Sequence, residues 1–248
     1  MSKDYFLMEP KYNQRYFFAE RAGGVPYTDS GGQQKEFGYR QGGLWNFQGI
    51  LNKLTYLLGK PQSILDIGAG CGGFVATCKI NGIEASGLEF SQSAIDNAIL
   101  DSRQLLVKCD VENTPWHINR KYDWVTCIDL FEHLFDERVD DVIKEVKRVS
   151  AKYIIAKICT AQRPHEEWSA KKTCLEDVLA QAKKDGFEWL VISGHVNSQF
   201  PNYWLKKFVD KQWRYREDLA RRFKVEMNLP EDWRTTLILR NYSYDLEE

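Results

Sequence analysis

The chain lacks paired cysteines at metal-binding or redox spacing, and it lacks long apolar runs. It has 248 residues and six cysteines, which are widely separated, so we expect neither a structural zinc site nor a disulfide framework. No stretch approaches the roughly 18 apolar residues that a bilayer-spanning helix requires. The first residues show no cationic segment followed by an apolar run. We therefore expect no secretory signal, no membrane partner and a cytoplasmic protein with reduced thiols.

The chain also lacks an excess of charge of either sign. Its 34 Lys and Arg residues face 35 Asp and Glu residues, which leaves a net charge of −1. No global attraction to nucleic acid or to an anionic membrane follows from that balance. The length suits one α/β domain with insertions better than two full domains.

Two parts of the chain differ in composition. Residues 1–60 are rich in aromatic residues and glycine near their start, and we expect an irregular arm with short helical pieces, then a helix over 44–58. This part is predicted to cover the active site. Residues 61–248 are predicted to form the main domain, with substrate-binding insertions at about 160–186 and 195–233.

The main domain alternates short apolar runs with helical segments. This rhythm predicts βαβ units, and hence a doubly wound α/β fold with a mostly parallel sheet and helices on both faces. Strands are predicted over 63–67, 84–89, 105–109, 122–128, 152–158 and 235–242. Helices are predicted to about 81, then over 91–100, 139–149, 174–184, 202–210 and 215–225, with a loop at 160–170 and an extended segment at 187–193.

A glycine-rich loop follows the first strand of this series. Within residues 66–73 (DIGAGCGG), Gly68, Gly70 and Gly73 match the dinucleotide-binding pattern, and Glu89 lies where that pattern places a ribose-binding acid. Glycine lets the backbone approach a ligand closely, often at positive φ. The pattern alone leaves NAD and S-adenosylmethionine as alternatives.

Neighbouring acids favour S-adenosylmethionine. Asp66 precedes the first glycine by two residues, which is unfavourable beside a pyrophosphate but suits a ligand that carries an α-ammonium group. Asp110 ends the third strand, where it can hold an adenine amino group. The loop also follows about 60 residues of chain, and no second domain of the size that dehydrogenases carry comes after it.

Four segments together resemble the class I S-adenosylmethionine-dependent methyltransferases in order and spacing. They are residues 65–72 (LDIGAGCG), 87–91 (GLEFS), 109–111 (CDV) and 128–134 (IDLFEHL). The resemblance covers about residues 60–160. It implies a seven-stranded, mostly parallel, Rossmann-like sheet that binds S-adenosylmethionine and releases S-adenosylhomocysteine.

The resemblance also implies roles for individual residues. The glycine loop would cradle the methionine part, Glu89 would accept both ribose hydroxyls, and Asp110 with Val111 would border the adenine. Residues from Asp129 onward would line the methyl-transfer side. The cofactor-binding residues expected on this basis are Asp66, Gly68, Gly70, Gly72, Glu89, Phe90, Asp110, Val111, Asp129 and His133.

Candidates for proton transfer are few, because the chain has only four histidines. A hydroxyl acceptor must be aligned with the methyl group and must lose a proton. Asp129 lies at the methyl-transfer side, His133 is assigned to the cofactor edge rather than to catalysis, and His165 lies in a loop where substrates commonly enter. No cluster of acids and histidines shows a metal-ligand spacing, so we expect transfer without a metal.

His195 opens a second pattern. Residues 195–204 (HVNSQFPNYW) resemble the H-x-N…P-x-x-Y-W segment of bacterial and viral methyltransferases associated with sugars, glycans and natural products. His195 is therefore a candidate general base or substrate-orienting residue, and a histidine that caps the following helix is the alternative.

Residues 203–224 interleave aromatic and basic side chains. Eight basic residues against three acidic ones can bind nucleic acid, while a helix with an aromatic core face and a charged outer face explains the same composition. Our first hypothesis is O-methylation of a sugar, glycan or related small metabolite. The alternatives are a nucleic-acid methyltransferase and a non-catalytic cofactor-binding homologue, and the oligomeric state stays open.

Overall fold

The computed structural model describes residues 25–28, 34–37, 47–99, 101–171, 175–227 and 235–243. Most of the predicted N-terminal arm and Trp233 lie outside these residues. Within them, no helix is both long and apolar enough to cross a membrane.

Seven strands form the central sheet, and two shorter pairs of strands accompany it. The short pairs are β1 (Val25–Thr28) with β2 (Gln34–Phe37), and β8 (Trp168–Ser169) with β9 (Asn197–Ser198), both antiparallel. The central strands are β3 (Ser63–Ile67), β4 (Glu84–Glu89), β5 (Leu106–Lys108), β6 (Tyr122–Ile128), β7 (Ser150–Lys157), β10 (Trp213–Tyr215) and β11 (Thr236–Asn241).

The order across the sheet is β10-β11-β7-β6-β3-β4-β5. Strands β3 to β7 pair in parallel, whereas β11 runs antiparallel to both of its neighbours. Because β4 and β5 extend the sheet on one side of β3, and β6 and β7 extend it on the other, the sheet is wound outward in two directions from β3. The predicted fold class, a doubly wound and mostly parallel seven-stranded sheet, is confirmed.

Helices cover both faces of the sheet. They are α1 (Phe47–Leu58), α2 (Gly73–Ile80), α3 (Gln92–Asp96), α4 (Asp136–Val149), α5 (Leu175–Asp185), α6 (Glu188–Ser193), α7 (Pro201–Phe208) and α8 (Glu217–Met227). Successive residues of β6 belong to different cores: Trp124 packs with α1, α2 and α8, while Val125 packs with α4 and α7. The central strands are therefore buried on both sides, as parallel sheets require.

Local chemistry sets the ends of these helices. Ser91 is the N-cap of α3, and its Oγ accepts the Ala94 N–H at 3.1 Å. Helix α4 begins with Asp136 and Glu137 and has Lys147 and Arg148 in its last turn, which suits the helix dipole.

Three predicted elements differ from the structure. Residues 187–193, expected to be extended, form the short helix α6, because Leu190 and Val191 pack into a core with Trp168 and Gly194 ends the helix at φ 95°. The helix expected over 215–225 begins only after β10. The described part of the first 45 residues is a strand pair rather than a helical piece.

The turn from β3 into α2 depends on glycine at one position in particular. Gly72 has φ 78°, and a Cβ there would lie 2.2 Å from the Ser102 Oγ, which is buried. A side chain at this position therefore meets both a conformational cost and a steric one.

We predict that Gly72→Ala lowers the free energy of unfolding by about 2–4 kcal/mol, from left-handed strain plus overpacking. Gly82→Ala is the matched control, since Gly82 has φ 70° but its Cβ would approach only the Lys60 Nζ, at 3.8 Å. The control should lose about 1 kcal/mol. Urea denaturation of both variants measures the difference, and equal losses would contradict the steric argument.

Candidate cofactor and acceptor site

The carboxyl ends of the parallel strands meet at one edge of the sheet, where such folds bind ligands. The glycine loop that leaves β3 is fastened to the end of β4 by its backbone. Gly68 N–H and Ala69 N–H both donate to the Leu88 carbonyl oxygen, at 2.9 and 3.0 Å. The loop therefore lies beside the side chain that follows Leu88, which is Glu89.

Glu89 is buried and holds two turns together. Its Oε2 accepts the Gly70 N–H at 2.7 Å and its Oε1 accepts the Ser91 N–H at 2.7 Å. Burial raises the pKa of the Glu89 carboxyl, and the backbone N–H groups that it accepts partly offset that rise. Each carboxylate oxygen has a second lone pair, so Glu89 can still accept two hydroxyl donors.

Asp66 is buried at the end of β3. Its Oδ1 accepts a hydrogen bond from the Thr126 hydroxyl at 2.6 Å. Burial raises the pKa of Asp66 to about 7, the Thr126 hydroxyl lowers it, and the charge of Glu89 raises it. A carboxyl group in this setting gains from a neighbouring cation, such as the ammonium group of a ligand.

Asp110 lies at the same edge, because Cys109 N–H donates to the Glu89 carbonyl oxygen at 2.9 Å. The Asp110 carboxylate accepts from the Glu112 N–H and from the Asn113 side-chain amide, each at 3.0 Å. Val111 is buried in the core. Three adjacent strands therefore bring these residues to one edge. Asp66 and the glycine loop lie at the end of β3, Glu89 and Phe90 at the end of β4, and Asp110 and Val111 just after β5.

Asp129 follows β6 in an unusual conformation. Its φ is 51°, which is left-handed for a residue with a side chain, and its N–H donates to the Lys157 carbonyl oxygen at 2.9 Å. Its carboxylate forms an ion pair with the Lys157 ammonium group, and Lys157 is only 4% exposed. Such backbone strain costs about 1–3 kcal/mol and points to a functional position.

A turn after Asp129 brings His133 to His195. The rings of these histidines lie 5.1 Å apart, edge to face. The chain around His195 is held there because Val196 N–H donates to the Glu132 carbonyl oxygen at 2.9 Å. Glu132 itself is fully buried, and its Oε1 accepts the Cys159 N–H at 2.9 Å.

Several buried polar atoms in this area have no hydrogen-bond partner. Among the described residues, the unpartnered side-chain atoms are Glu132 Oε2, both amide atoms of Asn197 and Trp204 Nε1. Phe131, next to Glu132, packs on Trp204 with ring centroids 5.9 Å apart, and Asn197 follows Val196. Because buried polar groups are nearly always paired, their concentration here indicates a place where a ligand completes the bonding.

The sequence singled out Asp129, His133 and His195, and the structure brings them to one edge. It does not bring His165 to them: His165 is exposed on a short 3-10 helix over Pro164–Glu166. Sequence reasoning missed Glu132 and Lys157. The signal for Glu132 was an acid inside an apolar turn, and the signal for Lys157 was a lysine at the end of an apolar strand.

Four aromatic residues of the segment 203–224 lie in the hydrophobic core rather than on an exposed stacking surface. Trp204, Phe208, Trp213 and Phe223 are at most 1% exposed. Nearby cations are engaged with acids, as in the pairs Lys207–Asp140 and Arg216–Asp218. The interleaved pattern in 203–224 is therefore explained mainly by a core-facing aromatic side and a charged outer side.

Comparison with known proteins agrees with this architecture. Residues 65–152 match the family described as a methyltransferase domain. The matched range includes the glycine loop, Glu89 and Asp110. The search of curated proteins found no match to this chain.

Solved structures are similar to this chain at low sequence identity. The plantazolicin methyltransferase BpumL, in complex with a monoazolic desmethylPZN analogue and SAH, is 16% identical over 79% of this chain and 84% of its own, with a TM-score of 0.52. A protein from Pyrococcus horikoshii is 22% identical over 46% of this chain, with a TM-score of 0.40. A methyltransferase from Clostridium acetobutylicum is 21% identical over 46% of this chain, also with a TM-score of 0.40. The alignments with these last two span 56% and 49% of their own lengths.

The raised pKa of Asp66 predicts a pH-dependent cost to folding. The carboxyl group has its ordinary pKa of 3.8 when unfolded and one of about 7 when folded. Below pH 3.8 the Asp66 carboxyl group is protonated in both the folded and the unfolded protein, so no stability is lost. As the pH rises to 7 the folded state must keep a proton that the unfolded state releases, so stability falls, by at most about 4 kcal/mol.

We therefore expect Asp66→Asn to gain stability over the parent chain as the pH rises from 5 to 8, since the amide does not ionise. Thermal unfolding of both proteins without ligand at these two pH values measures the gain. The amide also changes local hydrogen bonding, but that contribution is the same at every pH. A difference in melting temperature that stays constant from pH 5 to pH 8 would show that Asp66 is not the titrating group.

Proposed function

We propose that this protein is an S-adenosylmethionine-dependent methyltransferase that transfers a methyl group to a hydroxyl group of a small acceptor, a sugar, glycan or related metabolite. The observation that carries this proposal is the pair of buried carboxyl groups, Asp66 and Glu89, on either side of the glycine loop. Asp66 suits an ammonium group, and Glu89 suits two ribose hydroxyls. The methyltransferase-domain match over residues 65–152 supports the same conclusion.

Binding of the cofactor would use groups that are already in place. The loop over Gly68, Gly70 and Gly72 cradles the methionine part, and Glu89 accepts the ribose hydroxyls while it keeps its two backbone N–H partners. Phe90, Asp110 and Val111 border the adenine. When bound, the cofactor supplies a methyl group on a positively charged sulfur.

The acceptor would lie beyond the ends of β6 and β7. The rings of His133 and His195 meet there, Asp129 ends the same edge after β6, and the amide of Asn197 follows two residues after His195. His195 is well placed to orient the acceptor hydroxyl or to take its proton, since a group within hydrogen-bond reach contributes about 10²–10⁴ in rate. Burial of Glu132, Asn197 and Trp204 beside it keeps water away from the transfer.

Calorimetry with S-adenosylmethionine, S-adenosylhomocysteine and NAD tests the cofactor assignment. We expect binding of the first two and none of NAD. Glu89→Ala should weaken S-adenosylmethionine binding by at least about 100-fold, because two hydroxyl acceptors are lost and two backbone N–H groups lose their partner. Glu84→Ala, a change to an exposed acid on the same strand, is the matched control and should bind normally. Preferential binding of NAD would overturn the proposal.

A screen with tritiated methyl groups on nucleotide sugars, glycans, small hydroxylated metabolites, RNA and DNA identifies the acceptor. We expect transfer to a hydroxylated small acceptor. His195→Ala should then reduce turnover by about 10²-fold or more with cofactor affinity unchanged, whereas the exposed His117→Ala should have no effect. Transfer only to a polynucleotide, lost when salt is added, would support the nucleic-acid alternative instead.

A further inference from the structure

Three potential metal ligands converge beyond the end of β6. One carboxylate oxygen of Glu132 and one ring nitrogen each of His133 and His195 all lie within 4.8 Å of one another. Ligand atoms bound at about 2.1 Å from a shared ion are about 3–4 Å apart. Displacements of the ligand atoms by about 1 Å, through side-chain rotation, would therefore bring these groups into coordination distance.

Glu132 gives an independent reason to expect a cation at this place. Its side chain is 0% exposed, and its Oε2 has no hydrogen-bond donor. A buried carboxylate oxygen that lacks a hydrogen-bond donor is costly unless a ligand or an ion pairs with it.

The local structure fixes these groups rather than leaving them on a mobile surface. Cys159 N–H holds Glu132 Oε1 at 2.9 Å, and Val196 N–H holds the Glu132 carbonyl oxygen at 2.9 Å. Strand β9, which directly follows Val196, pairs with β8 through Trp168 and Ser198. The turn with Glu132 and the segment with His195 therefore keep a fixed relation to each other.

We propose that Glu132, His133 and His195 bind a divalent first-row transition-metal ion, and that this ion holds the oxygen atom of the methyl acceptor. The second part rests on the proposed function, whereas metal binding does not. Two imidazoles with one carboxylate suit Zn²⁺, Mn²⁺, Fe²⁺ or Co²⁺ better than Mg²⁺, which prefers oxygen ligands. Three protein ligands leave coordination positions for an acceptor oxygen.

The ion would change how the acceptor is activated. A hydroxyl group bound to a divalent cation has a lowered pKa and releases its proton to water or to a nearby base near neutral pH. The resulting oxygen forms a bond to the methyl carbon as the carbon–sulfur bond breaks. The sulfur keeps the electron pair of that bond, so the positive charge of the sulfonium is lost and neutral S-adenosylhomocysteine results. His195 then acts as a ligand rather than as a free base.

The sequence alone predicted no metal because the third ligand is remote in the chain. His133 directly follows Glu132, but His195 lies 62 residues later in the chain and is brought to them by the fold, in part through the Val196 N–H that donates to the Glu132 carbonyl oxygen. An adjacent Glu and His cannot by themselves indicate a site.

Titration of the full chain with Co²⁺ and with Zn²⁺ tests the proposal, after removal of any histidine tag and of bound metal with a chelator. Calorimetry and the visible absorption of bound Co²⁺ report the ion without cofactor or acceptor. We expect one ion per chain with imidazole coordination. His133→Ala, His195→Ala and Glu132→Gln should each weaken binding by at least about 100-fold.

The other two histidines provide a control within the same chain. His117 and His165 are both exposed, so the double variant His117→Ala/His165→Ala should bind Co²⁺ like the parent protein. His195→Asn serves where the alanine variant does not fold, and thermal unfolding of every variant checks this. No Co²⁺ or Zn²⁺ binding below about 1 mM, or equal loss in the double variant, would overturn the proposal. Cofactor affinity, measured separately, shows whether the proposed function fails as well.

Discussion

The carboxylate of Glu89 is the interaction on which the site depends. By accepting Gly70 N–H and Ser91 N–H it joins the turn after β3 to the turn after β4. The Leu88 carbonyl fixes the start of the same loop. The glycine loop therefore has its shape before any ligand arrives, and little ordering entropy is left to lose on binding. Two charge-assisted hydrogen bonds partly offset the cost of burying the carboxylate.

The same edge of the sheet carries an excess of buried acid. Asp66, Glu89 and Glu132 are all buried, and burial raises the pKa of each. Lys157 pairs with a further acid, Asp129. Because a nearby cation favours the ionised form of such carboxyl groups, this edge gains from a ligand with positive charges, which is a physical reason to prefer S-adenosylmethionine, with its ammonium and sulfonium groups, over NAD. A metal ion at Glu132 would extend the same compensation to the acceptor side.

The sequence predicted the sheet well because its signals are local. The glycines after β3, and the acids at the ends of β4 and β5, each lie within a few residues of the strand that they follow or end. The acceptor half was predicted less well because its structure comes from distant contacts. The sequence predicts an extended segment at 187–193, but burial of Leu190 and Val191 against Trp168 favours helix α6. The meeting of His133 and His195 depends on strand β9, which is two residues long and has no pattern of its own.

The region proposed to bind the acceptor, around Glu132, His133 and His195, nonetheless packs against the main core. Helix α7 begins with Pro201, and its Trp204 and Phe208 both pack on Phe131, which precedes Glu132. Displacement of α7 would therefore disturb the turn that carries Glu132 and His133, because a close-packed core transmits such shifts. Under the proposed function, acceptor specificity then depends on the buried polar groups of 195–204 rather than on the exposed cations that follow. Buried polar groups such as the Asn197 amide would discriminate strongly between acceptors. An acceptor that forms no hydrogen bond with them leaves buried polar atoms without a partner, which weakens its binding.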